Sequence, residues 1–413
     1  MDLITLWLEE KLLALNGTTT MNRPDGFTRL GFSLEEKKAH SQFAEIAEEL
    51  GLITYQDEAG NRWAVWEVDQ QAPTIAMGSH LDTVHSGGGY DGLAGVLCAL
   101  AAVKQLKDCA FRPKKNIAVI SFISEESARF GISTIGSKAI IGELHKAELA
   151  PIQDSDGITV TQAMEDYGID WDRIEQAEVP RENLEFFLEL HIEQGSILEK
   201  NHYDIGVVKG IACPIRLIIR AQGTANHTGT TPMDERKDAF VAIAPLVTFV
   251  YEEALKMNEN NGSTIVATVS KATLKPNAMN VIPSEVELGI DIRSVDDDLK
   301  RIMKEKIIDF CQQVEQKHPV TVEVQTLVNN DSVLLDEAMQ TKLLQVSERL
   351  GYKTMRMDSG AGHDVMNMAK RWPSGLLFIP CRDGLSHHPK EFTSIENLEK
   401  GTHVLVEFLR TEA

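Results

Sequence analysis

Two short apolar runs, Thr74-Ile75-Ala76-Met77 and Ile117-Ala118-Val119-Ile120-Ser121-Phe122-Ile123, constrain this chain most. Both are rich in β-branched residues, so they read as buried strands. Each runs straight into ionisable residues. The first leads to Gly78-Ser79-His80-Leu81-Asp82-Thr83-Val84 and then Asp91-Gly92; the second leads to Ser124-Glu125-Glu126. Side chains just past the carboxyl ends of strands stand where open α/β sheets bind ligands. His80 is a good ligand for a borderline cation, and Asp82, two residues on along the same face, can hold its other ring nitrogen. Asp91 offers a carboxylate able to bridge two ions, and the adjacent Glu125 and Glu126 suit one base and one ligand. An acidic pair on an apolar strand is costly without cations. The pattern therefore points to a dinuclear metal site.

Two further histidines extend it. His191 ends the run Phe186-Phe187-Leu188-Glu189-Leu190-His191-Ile192-Glu193-Gln194-Gly195, and His387 follows an apolar strand at 375–379 across Arg382-Asp383-Gly384-Leu385-Ser386-His387-His388-Pro389. His388 rivals His387, and spacing does not separate them. His227 and His363 lie in Gly/Thr-rich loops, where a histidine serves equally as a capping residue. Asn280 and Arg293 read equally as a turn residue and a solvated strand-end charge. His40, His85, His145, His202, His318 and His403 are assigned to surface or local structure.

A chain of 413 residues exceeds one ordinary core, so two domains are expected. Ser33 and Glu36 form a capping box before a helix whose face is Phe43, Ile46, Ala47 and Leu50, ended by Gly51. An Ala/Leu-rich helix over 92–107 follows Asp91, and strands alternate with helices to about residue 213, which is α/β patterning with a partly parallel sheet. From 214 the order changes: strand 214–222, helix 238–257 kinked at Pro245, strands 263–273 and 285–293, amphipathic helix 294–317, strand 320–328. That is the β-α-β-β-α-β split unit. The α/β pattern then resumes, with a helix ending at Gly351, the strand at 375–379, and a last helix capped at Thr393-x-x-Glu396. The expected organisation is 1–213 with 329–413 as one discontinuous domain and 214–328 as an insertion.

Lys plus Arg number 41 against 62 Asp plus Glu, a net charge of −21. No basic block exists to neutralise phosphate, so neither nucleic acid nor an anionic membrane is an expected partner. No apolar run reaches membrane-spanning length. Met1-Asp2-Leu3 lacks a basic start and Glu9-Glu10 interrupts the early apolar stretch, so no signal peptide is expected. Cys98, Cys109, Cys213, Cys311 and Cys381 are scattered with no C-x-x-C, which suits free thiols in a reducing cytoplasm.

Taken together, these motifs resemble the peptidase M20 metal-dependent amidohydrolases over essentially the whole chain. More narrowly they resemble the branch of N-carbamoyl-L-amino acid hydrolases, allantoate amidohydrolases and β-ureidopropionases. The resemblance is carried by Gly78 to Val84, by Glu125-Glu126 with Ala128-Arg129-Phe130, by Leu190-His191-Ile192-Glu193-Gln194-Gly195, by Asn280-Val281-Ile282-Pro283 and by Ser359-Gly360-Ala361-Gly362-His363-Asp364. It implies a metal-dependent aminopeptidase-like α/β catalytic domain with an inserted ferredoxin-like α+β lid and dimerisation domain. It implies two divalent ions per subunit (zinc, or manganese, cobalt or nickel), one on His80, Asp91 and His191, the other on Asp91, Glu126 and His387. Glu125 would be the general base, with Asp82 and His227 also catalytic, His227 reaching the partner subunit's site. Gln194, His227, Asn280, Arg293, His363 and the Ala361 backbone would bind a small-molecule substrate, Arg293 forking onto its carboxylate.

Two departures stand out. Cys213-Pro214-Ile215 occupies the place where allantoate-type members carry a polar Gln-Arg pair, and Ser127 stands where many relatives have glycine, which is expected to matter little. The expected reaction is hydrolysis of the ureido C–N bond of an N-carbamoyl-L-α-amino acid; allantoate hydrolysis and aminoacylase or dipeptidase action are the alternatives.

Overall fold

The computed structural model describes residues 3–260 and 263–413. They form two compact units. One holds the described residues up to Lys209 with Leu335–Ser359 and His363–Ala413; the other holds Gly210–Leu334 with Gly360–Gly362. No described helix is long and apolar enough to cross a membrane.

The first unit is built on a mixed sheet. At its centre Asn116–Phe122, Thr74–His80, Leu184–Ile192 and Ser374–Ile379 lie side by side in that order, each parallel to its neighbour. These strands are buried almost end to end, as expected of a parallel sheet covered on both faces. The antiparallel strands Arg62–Trp66 and Ile53–Gln56 extend it beyond Asn116–Phe122. Leu97, Leu100, Leu405 and Phe408, from the helices Leu93–Asp108 and Ile395–Glu412, pack with strand residues Met77, Val119 and Leu188 in one core. A second cluster gathers Phe32, Ile123, Ile135 and Met164.

Parallel strands share one carboxyl edge. His80 is in register with Phe122, and His191 with Phe378, so the segments that follow all four strands emerge together. Helix Leu93–Asp108 begins directly behind His80. Its N-cap, Gly92, has φ 64° and sits so close to the imidazole that a Cβ would lie 2.5 Å from the ring; only glycine fits there.

The second unit is a four-stranded antiparallel sheet in the order Thr321–Asn329, Pro214–Gln222, Glu285–Arg293, Val266–Lys275. Counted along the chain from Pro214–Gln222, helices lie between its first and second and its third and fourth strands, the ferredoxin-like arrangement the sequence pattern predicts. Ile215, Leu217, Ile219 and Ala221 alternate inward along the first strand to meet Leu246, Val250, Met303 and Ile307 from the helices. The helix expected over 238–257 is two pieces, Ala239–Ile243 and Pro245–Asn260, because Pro245 has no N–H to continue the first. Lys300 is fully buried. Its ammonium donates to Cys213 O (2.7 Å), Asn330 O (2.8 Å) and Ser332 Oγ (2.9 Å), so one charge ties the chain's entry into this unit to its exit.

Two caps differ from expectation. The last helix is capped by Ser394, whose hydroxyl accepts from Asn397 N, because the Thr393 hydroxyl is donated to Pro380 O. Ser33 does cap its helix, but Glu36 does not reach back to the Ser33 amide. Its carboxylate accepts from Phe32 N and Ser124 N instead.

Candidate metal centre

Asp91 is where the ligand-type side chains converge. Its Oδ1 lies 3.0 Å from His191 Nε2 and 3.6 Å from His80 Nε2, and its Oδ2 lies 3.1 Å from His387 Nε2. The same His387 nitrogen is 3.1 Å from Glu126 Oε1. Two triads result, His80–Asp91–His191 and Asp91–Glu126–His387, with the candidate ligand atoms of each within 4.8 Å of one another. Glu125 belongs to neither, and its Oε2 is 3.9 Å from His80 Nε2. His388 turns away and accepts from Lys390 N.

Backbone carbonyls set the histidine tautomers. His80 Nδ1 lies 3.1 Å from Asp82 O, and His191 Nδ1 lies 2.8 Å from Ile192 O. These contacts leave Nε2 of each ring as the nitrogen that faces Asp91. The Asp82 carboxylate was expected on the His80 ring and does lie 3.4 Å from Nδ1. Its hydrogen bonds go elsewhere: Oδ1 accepts Glu125 N at 3.0 Å and Oδ2 accepts Glu126 N at 2.9 Å. Asp82 therefore holds the acidic pair by its backbone.

Three non-glycine residues here are left-handed: Ser124 (φ 49°), Gln194 (φ 56°) and His387 (φ 54°). Each costs about 1–2 kcal/mol, and such strain collects at functional sites. Glu36 holds Ser124 through its amide, and Gln194 Nε2 donates to Asp91 Oδ2 at 2.9 Å and to Ser386 Oγ at 3.1 Å.

The electrostatics favour a cation. Asp82, Asp91, Glu125, Glu126, Glu189, Asp364 and Glu391 are all buried. Burial, joined by the charges of Glu126, Asp364 and Asp82, pushes Glu125 well above the usual carboxylate range despite His80. Burial also works to raise Asp91, but hydrogen bonds from His191, His387 and His80 outweigh it and hold that carboxyl well below its ordinary value. Arg29 is buried beside Asp82 and Glu36, and burial lowers even its guanidinium to about 10. Imidazole nitrogens and carboxylate oxygens around an excess of buried negative charge fit divalent ions of the zinc, manganese, cobalt and nickel group.

Sequence reasoning missed several members. Glu391 accepts Tyr90 N and Asp91 N, and burial beside Asp91 pushes it up to about 7. Glu189 takes the Ser79 hydroxyl and Val365 N, and Asp364 takes the Ser137 hydroxyl. Glu189 had a visible signal, a carboxylate in the middle of the apolar run Phe186–Ile192. Glu391, in a polar loop, had none.

The remaining expected residues divide between the units. Gln194 and His363 stand in the first, beside the triads. The His363 ring is buried 4.5 Å from that of His191, with Nε2 3.0 Å from Ser359 Oγ. Burial, with the charge of His191, holds it well below the ordinary histidine range. His227, Asn280, Arg293 and Ala361 belong to the second unit. The exposed His227 pairs across a bridge with Val281, and Thr228 N donates to Asn280 O, so those two loops are neighbours. Arg293 is already engaged: Nε donates to Asp291 Oδ1 (2.8 Å) and Nη1 to Gly360 O (2.6 Å), next to Ala361.

The chain matches the model of peptidase family M20/M25/M40 over residues 75–411 and belongs to that family. It is a hydrolase of C–N bonds. It is 33% identical to an N-carbamoyl-L-amino acid amidohydrolase of Geobacillus stearothermophilus, over 97% of this chain and 96% of that protein. A ureidoglycolate hydrolase of Arabidopsis thaliana is 34% identical over 92% of this chain and 80% of its own. An allantoate amidohydrolase of Bacillus subtilis is 32% identical over 93% and 92%. The solved structure of a hydantoinase/carbamoylase-family amidase from Burkholderia multivorans matches with a TM-score of 0.90 at 27% identity, covering 99% of this chain and 98% of that one.

Replacing Asp82 by Asn turns one acceptor into a donor facing an amide of the Glu125-Glu126 turn. The expected loss is about 1–3 kcal/mol, the cost of an unmade hydrogen bond to a buried charged group. Urea unfolding of wild type and variant measures it, and an unchanged midpoint and slope would contradict this role.

Proposed function

We propose that the protein is a metal-dependent amidohydrolase that cleaves the ureido C–N bond of an N-carbamoyl-L-α-amino acid, yielding the amino acid, ammonia and carbon dioxide. The observation that carries the reading is one carboxylate, Asp91, shared by two ligand-type triads with the non-ligand carboxylate Glu125 beside them. His80, Asp91 and His191 would hold one divalent ion, and Asp91, Glu126 and His387 the other. Bound there, such ions polarise a carbonyl and lower the pKa of water. Glu125 takes the proton from the attacking water and returns it to the leaving nitrogen. Asp82 keeps Glu125 and Glu126 in place through their amides. A binding module without turnover would have no use for a free carboxylate at Glu125.

In the second unit Asn280, Arg293 and the Ala361 backbone would take the substrate's carboxylate; in the first, Gln194 and His363 would contact substrate beside the triads. Arg293 would exchange its contact with Gly360 O for that carboxylate while Asp291 keeps the guanidinium in plane. His227 would reach the partner subunit's site and donate there to the oxygen on which charge develops. The choice of an N-carbamoyl amino acid over allantoate rests on the carbamoylase relative and on Pro214, half-buried at the start of its strand. Ile215 lends no support, because it is buried in the core of the second unit. Allantoate is the alternative, supported by a relative at nearly the same identity.

The reading includes a homodimer through the second unit. Phe240, Val247, Tyr251 and Leu255 form an exposed apolar stripe along the helix pair Ala239–Ile243 and Pro245–Asn260. That helix packs beside Val266–Lys275, an edge strand whose Val266 is 60% exposed. Contiguous apolar surface beside an open strand edge suits a second copy of the same face.

Three measurements test this. Ammonia release from N-carbamoyl-L-methionine, N-carbamoyl-β-alanine and allantoate, with methionine release from N-carbamoyl-L-methionine and N-acetyl-L-methionine, all at matched concentration, should be fastest for N-carbamoyl-L-methionine in both readouts. Allantoate outrunning it would reject the substrate and leave the chemistry standing. Glu125→Gln should keep its metal and lose about 10²–10⁴-fold in kcat; full turnover would remove the base. Light scattering should give twice the 45.8 kDa chain mass, falling to one chain in a Tyr251→Glu, Leu255→Glu variant, whereas a wild-type monomer would exclude the dimer.

A further inference from the structure

Glu391 lies outside both triads yet grips the residue they share. Its Oε1 accepts Tyr90 N at 3.0 Å and Asp91 N at 2.9 Å, and its Oε2 lies 3.0 Å from the Ser386 hydroxyl. That hydroxyl is also 3.0 Å from Asp91 Oδ2 and receives Gln194 Nε2 at 3.1 Å. Glu391 is 4% exposed, and its carboxylate fills space left by Gly88, where any side chain would collide with it. Its own N–H donates to His388 O and closes the turn after His387. One carboxylate thus ties two segments 300 residues apart, the loop carrying Asp91 and the turn carrying His387.

We propose that Glu391 is a positioning residue for the bridging carboxylate: it fixes the Asp91 backbone and, through Ser386, the direction of Asp91 Oδ2 toward His387 and Glu126. The inference rests on the reading of Asp91 as a shared metal ligand. A bridging carboxylate must present both oxygens at once, and rotation about its Cα–Cβ bond would serve one triad at the expense of the other. Oδ1 faces His191 and His80, so the freedom that remains is that of Oδ2 and the backbone, and these are what Ser386, Gln194 and Glu391 hold. Placing a second buried carboxylate beside Asp91 is unfavourable in itself. The two amide N–H groups offset that cost, and the single proton of the Ser386 hydroxyl is shared between Glu391 Oε2 and Asp91 Oδ2. A simple loop staple would behave differently, since its loss would lower stability without changing how metal is held.

The test uses the full chain and cobalt(II). Binding is measured by competition with a chelator, and coordination by the visible d–d absorption, for wild type, Glu391→Ala, Glu391→Gln and Asp336→Ala. Asp336 caps the helix Glu337–Arg349 by accepting Met339 N, so its loss controls for an amide acceptor remote from the triads. Wild type should bind two equivalents. Glu391→Gln, which keeps a carbonyl oxygen on the two amides, should stay within about threefold, while Glu391→Ala weakens binding about 10–100-fold, the range for lost partners of metal ligands. The Ala variant should also change the cobalt spectrum, and Asp336→Ala should lose stability with affinity and spectrum intact. A folded Glu391→Ala protein with wild-type affinity and spectrum overturns the proposal. If that variant does not fold, Glu391→Asp, whose shorter side chain cannot reach both amides, is judged by the same criterion. A wild-type chain that binds no cobalt overturns both this and the proposed function; two bound equivalents with an unaffected Ala variant overturn this alone.

Discussion

The carboxylate of Asp82 receiving the amides of Glu125 and Glu126 is the contact on which the site depends. Residues that leave a strand lose their ladder partners, and inside a protein each unpaired N–H is costly. This chain answers repeatedly with buried carboxylates. Glu36 takes Phe32 N and Ser124 N, Glu391 takes Tyr90 N and Asp91 N, and Glu193 takes Ile197 N and Leu198 N. Hydrogen bonds to a charged acceptor contribute about 1.5–3 kcal/mol each, so strained turns such as the one at Ser124 become tolerable. The same solution concentrates negative charge at one edge of the sheet. Holding the loops and attracting cations are therefore one problem with one set of residues.

Topology does the rest. Four parallel strands in the order Asn116–Phe122, Thr74–His80, Leu184–Ile192, Ser374–Ile379 draw together residues from 80 to 387. None of the triads is local in sequence, and Ser386 and Asp91 meet across 295 positions. The insertion lies between the third and fourth of these strands in the chain, so it interrupts the sequence without interrupting the parallel set. Lys300 binds the two chain crossings of the second unit to each other, which keeps the ends of the insertion together.

The features legible in the sequence were those encoded by composition at strand ends. Apolar runs closing on His80, Glu125 and His191 marked both the strands and the edge, and the β-α-β-β-α-β order of the second unit followed from periodicity. What stayed hidden were choices made by hydrogen bonding. A carboxylate that serves backbone amides leaves no pattern, because its partners are N–H groups that every residue has; hence Glu391 was missed and Glu36 looked like an ordinary cap. The Asp82 carboxylate and carbonyl divided two tasks that spacing merges into one. Thr393 and Ser394 are chemically equivalent caps until Pro380 O claims one hydroxyl. His387 and His388 differ only once a left-handed backbone at His387 turns its ring toward Asp91. Ile215, which stands where allantoate-type members carry a polar pair, is drawn into a core by strand alternation.

Anomalous diffraction tests most directly whether one aspartate, Asp91, serves two metal positions. Crystals grown with manganese or zinc, measured at the metal's absorption edge, should show two peaks on each chain. One should be enclosed by His80, Asp91 and His191 and the other by Asp91, Glu126 and His387, and both should vanish in Asp91→Ala. Peaks that survive that substitution, or ions bound away from these five side chains, would contradict the account.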